Sequence, residues 1–180
     1  MNFLPGTEKI AEECVELFSL ANTRFISAGA QSSLVRYQYV FNDLSMRGDQ
    51  LIIEKTLAIA IKIRFLDDQS HLLKGLDRKS PHIGHLRIEG IEQPNIDIRT
   101  ALNKLIHHIS IGVEIKPTSV TILQVAAPTT LPDLQIPPGH YEGLTVVIKT
   151  TGEQRQKPWE FEVDLFELIN EILRVLYLAP

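Results

Sequence analysis

Apolar positions along the chain follow two periods. Helical spacing governs two long stretches: Ile10, Cys14, Leu17, Phe18, Ala21 and Phe25 recur at steps of three and four over 7–28, and Leu165, Leu168, Ile169, Ile172, Leu173 and Leu176 do so near the C-terminus. Thr7, with Glu8, Glu12 and Glu13 close behind, suits the start of the first helix. Asp164 and Glu167 make a capping box for the last. Between them Ile98, Ala101, Leu102, Leu105 and Ile109 describe a shorter amphipathic helix that Asp97 can cap.

Two stretches satisfy both periods. Residues 31–44 read as helix although Tyr37, Tyr39 and Phe41 also alternate, and Gly48 with Asp49 then marks a turn. Leu57, Ile59, Ile61, Ile63 and Phe65 alternate as a strand would. The apolar run they belong to, 51–66, exceeds a usual strand, which favours a buried helix. A polar connection over 76–94 follows, carrying Pro81, Gly84 and Gly90. Alternation returns at Val113 and Ile115, at Val120, Ile122 and Val125, at Leu144, Val146 and Ile148 before a Thr151-Gly152 turn, and at Trp159, Phe161 and Val163. Pro128, Pro132, Pro137 and Pro138 make 127–139 a loop. The pattern predicts an α+β fold, mainly helical, with four to five helices and a small antiparallel sheet inserted before the C-terminal helix. One domain over 1–180 is expected: a helical region over 1–110, a β insertion over 111–163 and a closing helix over 164–178.

Composition narrows the class. With 180 residues, 44% hydrophobic and 22% charged, the chain can fill one core and resembles neither a disordered nor a coiled-coil sequence. Cys14 is the sole cysteine, which excludes an intrachain disulfide and a thiolate metal cluster. Its neighbours Ile10, Val15, Leu17 and Phe18 point to a buried, inert thiol. Glu54, Lys55, Lys62 and Arg64 interrupt the 51–66 run, which is shorter than the roughly 20 residues that span a bilayer, so no membrane segment is expected. The N-terminus lacks the basic-then-apolar pattern of a signal peptide, giving the expectation of a cytoplasmic protein. A net charge of −4 argues against extended nucleic-acid binding. Charge is uneven, however. From His71 to His108, six basic residues (Lys74, Arg78, Lys79, Arg87, Arg99, Lys104) face four acidic ones (Asp77, Glu89, Glu92, Asp97), a balance of +2, and five of the six histidines fall there.

Within that segment Arg99, Asn103 and His107 recur at a spacing of four and share one stripe outside the apolar face of their helix. A guanidinium holds phosphate, an amide orients it, and an imidazole moves a proton near neutral pH. Together they suit metal-independent cleavage of RNA by its own 2′-hydroxyl. In that scheme His107 is general base or acid, Arg99 the phosphate clamp and Asn103 the orienting group, with Lys104 and His108 as further binding candidates. The plain alternative is a solvated helix face whose His107 and His108 complement the negative end of the helix dipole.

Pro81-His82-Ile83-Gly84-His85-Leu86 is similar to the HIGH signature of class I aminoacyl-tRNA synthetases and related nucleotidyltransferases, whose histidines contact ATP phosphates. No KMSKS-like partner occurs downstream, and a loop exposing His82 and His85 as binding residues accounts for the same positions. His82 and His85 can also be grouped with His71, His107 or Asp77 around a metal, but no HExxH-like helix supports this. Neither metal nor cofactor is therefore called for.

Leu102-Asn103-Lys104-Leu105-Ile106-His107, late in a helix of a small helical domain, resembles the divergent end of the HEPN (higher eukaryotes and prokaryotes nucleotide-binding) superfamily. Asn103 and His107 match its RNxxxH spacing, Leu102 stands in the arginine position, and Arg99 lies one turn earlier. The resemblance implies a protein of a prokaryotic toxin or defence context that binds RNA or cleaves it without metal. It also implies a homodimer whose two motifs share a cleft. The departure at Leu102 implies either that Arg99 substitutes or that the protein binds without cleaving. The competing expectation is a non-enzymatic interaction protein, an immunity or mobile-element accessory factor, whose sheet and proline loop meet a protein partner.

Overall fold

The computed structural model describes residues 7–31, 38–73, 83–94, 96–122 and 139–178. In chain order these form α1 (Thr7–Gln31), α2 (Gln38–Ser70), β1 (His85–Ile88), β2 (Ile91–Gln93), α3 (Ile98–Ile106), β3 (Ser110–Ile122), β4 (Gly139–Gln154), β5 (Lys157–Asp164) and α4 (Leu165–Leu178). All strand pairs are antiparallel, in the order β2-β1-β5-β4-β3. Trp159, Phe161 and Val163 of β5, Val146 and Ile148 of β4 and Leu86 of β1 share one sheet face with the buried stripes of the helices, forming a single core cluster. Burying a side chain the size of Phe161 or Leu165 contributes about 2 kcal/mol each.

This corrects the expected fold class. The α+β character stands, but the sheet is no small insertion before the last helix. It holds five strands and 31% of the described residues, lies mid-molecule, and has its strands split around α3. The cause lies in the stretch that reads as a polar connection. Leu86 and Ile88 turn inward from β1 while His85 and Arg87 point out, and a two-residue turn at Glu89 (φ 52°) and Gly90 (φ 79°) folds β2 back. Positive φ at both turn positions is the hairpin geometry usually signalled by Asn-Gly or Asp-Gly; Glu-Gly hides it.

Three local expectations also change. Gly48 and Asp49 do not break the chain: α2 runs through them, with Arg24 Nε donating to Asp49 Oδ1 at 2.6 Å and the Arg24 side chain packed on the Gly48 backbone. Packing there outweighs the cost of about 1 kcal/mol for a mid-helix glycine. Residues 57–65 are helical, as favoured, but only half buried. Positions two apart lie about 200° around a helix, so Ile59 and Ile63 enter the core while Ile61 and Phe65 are 55% and 60% exposed. The third change is at Thr151-Gly152, where β4 continues. The turn falls at Arg155 and Gln156 (φ 53° and 63°). Gly152 instead clears space for an indole, since a Cβ there would sit 2.2 Å from the Trp159 ring.

The helix caps and the lone thiol lie where the pattern places them. Asp97 caps α3 by accepting the Thr100 N–H at 2.6 Å, and Asp164 accepts the Phe166 and Glu167 N–H groups at the start of α4. Cys14 is fully buried, and burial, aided by Glu13, pushes its thiol up to about 12, so it is inert. Ile109 departs from the expected apolar face of this helix: α3 ends at Ile106, and Ile109, beyond it, is exposed. The proline loop lies outside the described residues except for Gly139, which opens β4.

Candidate functional site

Helix α3 rests on the sheet through Ile98, Ala101, Leu102 and Leu105, and this seating decides where each polar side chain goes. Leu102, directly before Asn103, is fully buried. Arg99 turns toward the C-terminal end of α2, where its guanidinium lies 3.4 Å from both Asp67 Oδ2 and Asp68 Oδ1. Arg64 reaches the same carboxylates, at 2.8 and 3.2 Å. Asp67 is 1% exposed and also accepts the Leu73 N–H at 2.8 Å, so it closes the end of α2. Arg99 is thereby held in a structural cluster, and the trio does not assemble as a trio.

Asn103 and His107 do meet a concavity. Together with Arg64, Thr100, Lys104, Glu153, Gln154 and Trp159 they line a cleft of about 640 Å³ between α3 and the tip of the β4–β5 hairpin. His107 is the C-cap of α3, exposed, with its backbone N–H donating to Asn103. His108 turns away, its Nδ1 donating to the Leu105 carbonyl at 2.6 Å. His85 begins β1 on the opposite sheet face, exposed and 3.1 Å from Glu92. The histidines of 82–85 and the α3 stripe therefore do not form one site, His82 being outside the described residues. Gly84 and His85 lead into a strand, whereas the HIGH signature opens a helix. Among the described residues no three His, Cys, Asp or Glu side chains are grouped as a metal would require.

Lys104 is the unusual member of the cleft. It follows Ala101 by one turn and so borders the apolar stripe on the side away from Arg99; its stem is buried and the residue is 7% exposed. Nζ sits 4.4 Å above the Trp159 ring centroid and donates to Gln154 Oε1 at 2.9 Å. Among the described residues no carboxylate pairs with it, and burial holds its ammonium below the usual lysine range. The indole face and the negative end of the α3 dipole supply the compensation that no anion supplies. Gly152 makes this possible by letting Trp159 lie flat across β4. Sequence reasoning missed Arg64, Glu153, Gln154 and Trp159 because strand pairing brings them to α3 from distant segments. The only local hint was Lys104 beside an apolar stripe.

The outer sheet face offers a contrasting surface. His85, Arg87, Lys116, Lys149, Glu160 and Glu162 border a cleft of about 560 Å³ there. Its cations are matched: Arg87 with Glu92 at 2.9 Å, Lys149 with Glu114 at 2.7 Å, and Lys116 with Glu162. Arg87 holds the Glu92 carboxyl below, and Glu114 holds the Lys149 ammonium above, their usual ranges.

No family model, curated protein or solved structure matches this chain. Among the described residues no helix is long and apolar enough to cross a membrane.

Proposed function

We propose that this protein binds RNA in the α3 cleft and does not cleave it. The observation that carries the reading is Lys104: a nearly buried cation with no carboxylate partner among the described residues, opening on a cleft that also presents Asn103 and His107. A buried, unneutralised ammonium attracts phosphate more strongly than a solvated one. The motif resemblance supports RNA as the source of that phosphate. Against cleavage stands Arg99, which a phosphate clamp requires free and which Asp67 and Asp68 engage.

The test pairs two measurements on wild type, His107→Ala and Lys104→Met. Incubation with total RNA in EDTA should leave the RNA intact for all three. Retardation of labelled RNA should persist for wild type and weaken about tenfold for Lys104→Met, the loss of one charged hydrogen bond. Cleavage that His107→Ala abolishes would replace this reading with the ribonuclease one, and absence of retardation would remove both. A second reading, a protein-interaction module, is favoured by the outer sheet face, which no described helix covers and whose matched charges suit a polar protein surface. Affinity capture that Arg87→Glu with Lys149→Glu abolishes, with RNA binding unchanged, would identify that use. The pairing of two copies belongs to the proposal, and sedimentation equilibrium measures it.

A further inference from the structure

The cleft has its charges arranged by depth. Lys104 lies at the floor, on the indole of Trp159, with one acceptor, Gln154, for its three N–H donors among the described residues. Asn103 and Thr100 line the wall. At the mouth stand exposed His107 and the exposed carboxylate of Glu153, which has no ion-pair partner among the described residues. The Arg64 guanidinium, also in the lining, is neutralised by Asp67 and Asp68.

A running phosphodiester backbone fits this poorly. It presents one charge per nucleotide at regular intervals and is held by a row of exposed cations. Here there is one buried cation, and beyond it a carboxylate that repels the next phosphate. A phosphate monoester fits better on three counts. It carries more charge than a diester near neutral pH, about −1.5 to −2. It has three terminal oxygens to take the unused Lys104 donors and the Asn103 amide. It is also attached through one side only, so its free oxygens can reach Lys104 while the rest of the strand stays outside the cleft.

We infer that the cleft seats a phosphate monoester at the end of an RNA strand, with Lys104 at the floor holding the phosphate and Glu153 at the mouth excluding strand interiors. The inference rests on the proposed RNA binding and narrows it to the strand end.

Trp159 is the only tryptophan in the chain, so its fluorescence reports the occupant of Lys104 directly. The full chain is titrated with a short oligoribonucleotide bearing a 5′-phosphate, the same oligomer with a 3′-phosphate, the unphosphorylated oligomer, and adenosine monophosphate. One phosphorylated oligomer should bind about tenfold tighter or more than the unphosphorylated one. Lys104→Met should abolish the difference. Glu153→Gln, a change on an exposed side chain that does not depend on refolding the floor, should narrow the preference by admitting strand interiors. Adenosine monophosphate binding as tightly as the phosphorylated oligomer supports the monoester as the recognised group. Equal affinity for phosphorylated and unphosphorylated oligomers, lost in Lys104→Met, overturns this inference and leaves RNA binding standing. Binding of no oligomer overturns both.

Discussion

The first and last turns of α3 each carry a cation, and their surroundings are opposite. Arg99 is partly exposed and faces two carboxylates; Lys104 is buried and, among the described residues, ion-pairs with none. On sequence, Arg99 is the better phosphate ligand, being planar, permanently charged and able to bind in bidentate fashion. In the folded chain Asp67 and Asp68 already take its donors, whereas Lys104 retains donors among groups that do not neutralise it. What separates the two cations is the balance of local charge after packing, which residue type alone does not reveal.

The largest effect on α3 is expected at Leu102. Leu102→Arg would place an arginine before Asn103, four residues ahead of Ile106, but it puts a guanidinium where the side chain is fully enclosed, and should cost about 4 kcal/mol or prevent folding, read from urea denaturation. A stable, RNA-cleaving Leu102→Arg protein would show that α3 can rotate to present that position. Asp67→Ala comes next, at about 3 kcal/mol, because it removes the acceptor of the Leu73 N–H together with the shared partner of Arg64 and Arg99. In the same variant Arg64 loses its nearer carboxylate beside the cleft, so RNA affinity should rise as stability falls. Gly152→Ala drives a methyl into the Trp159 ring and should cost about 2 kcal/mol, with a red shift of tryptophan emission as the indole tilts toward water.

A smaller effect separates the two cations by pH. The Lys104 pKa in the folded protein lies below 10.5, so as pH climbs through the interval between them the unfolded chain holds more protons than the native one, and stability rises with pH. The wild-type urea midpoint should therefore gain on that of Lys104→Met across this interval. A flat difference would mean that the ammonium is not desolvated. Smallest of all is Arg99→Ala: its two contacts are long at 3.4 Å, its side chain is 42% exposed and Arg64 still neutralises Asp67, so the loss should be about 1 kcal/mol and RNA binding should stay within experimental error. A large loss of binding there would return the phosphate role to Arg99.

Much of the helical framework could be read from periodicity, because the buried stripes of α1, α3 and α4 are continuous and their caps, Asp97 and Asp164, carry a local signature. The sheet was half legible. Alternation in β3 to β5 is plain, but β1 and β2 are short, and their Glu89-Gly90 turn lacks the expected residues. The cleft was the least legible. Asn103, Lys104 and His107 could be named, yet Trp159 and Gln154 come to them only through the β4–β5 hairpin, and the neutralisation of Arg99 depends on where α2 ends. Pairings across the fold carry no period.

The place of β1 in the sheet has a kinetic consequence. β3, β4, β5 and α4 follow one another and can assemble locally, but this half leaves one edge of β5 unpaired until β1, from before α3, docks against Trp159 to Glu162. Loop-closure entropy makes that joining step slow. Until it is complete, a bare strand edge bordered by Trp159 and Phe161 lies open to other chains, so the yield of refolding should fall as protein concentration rises.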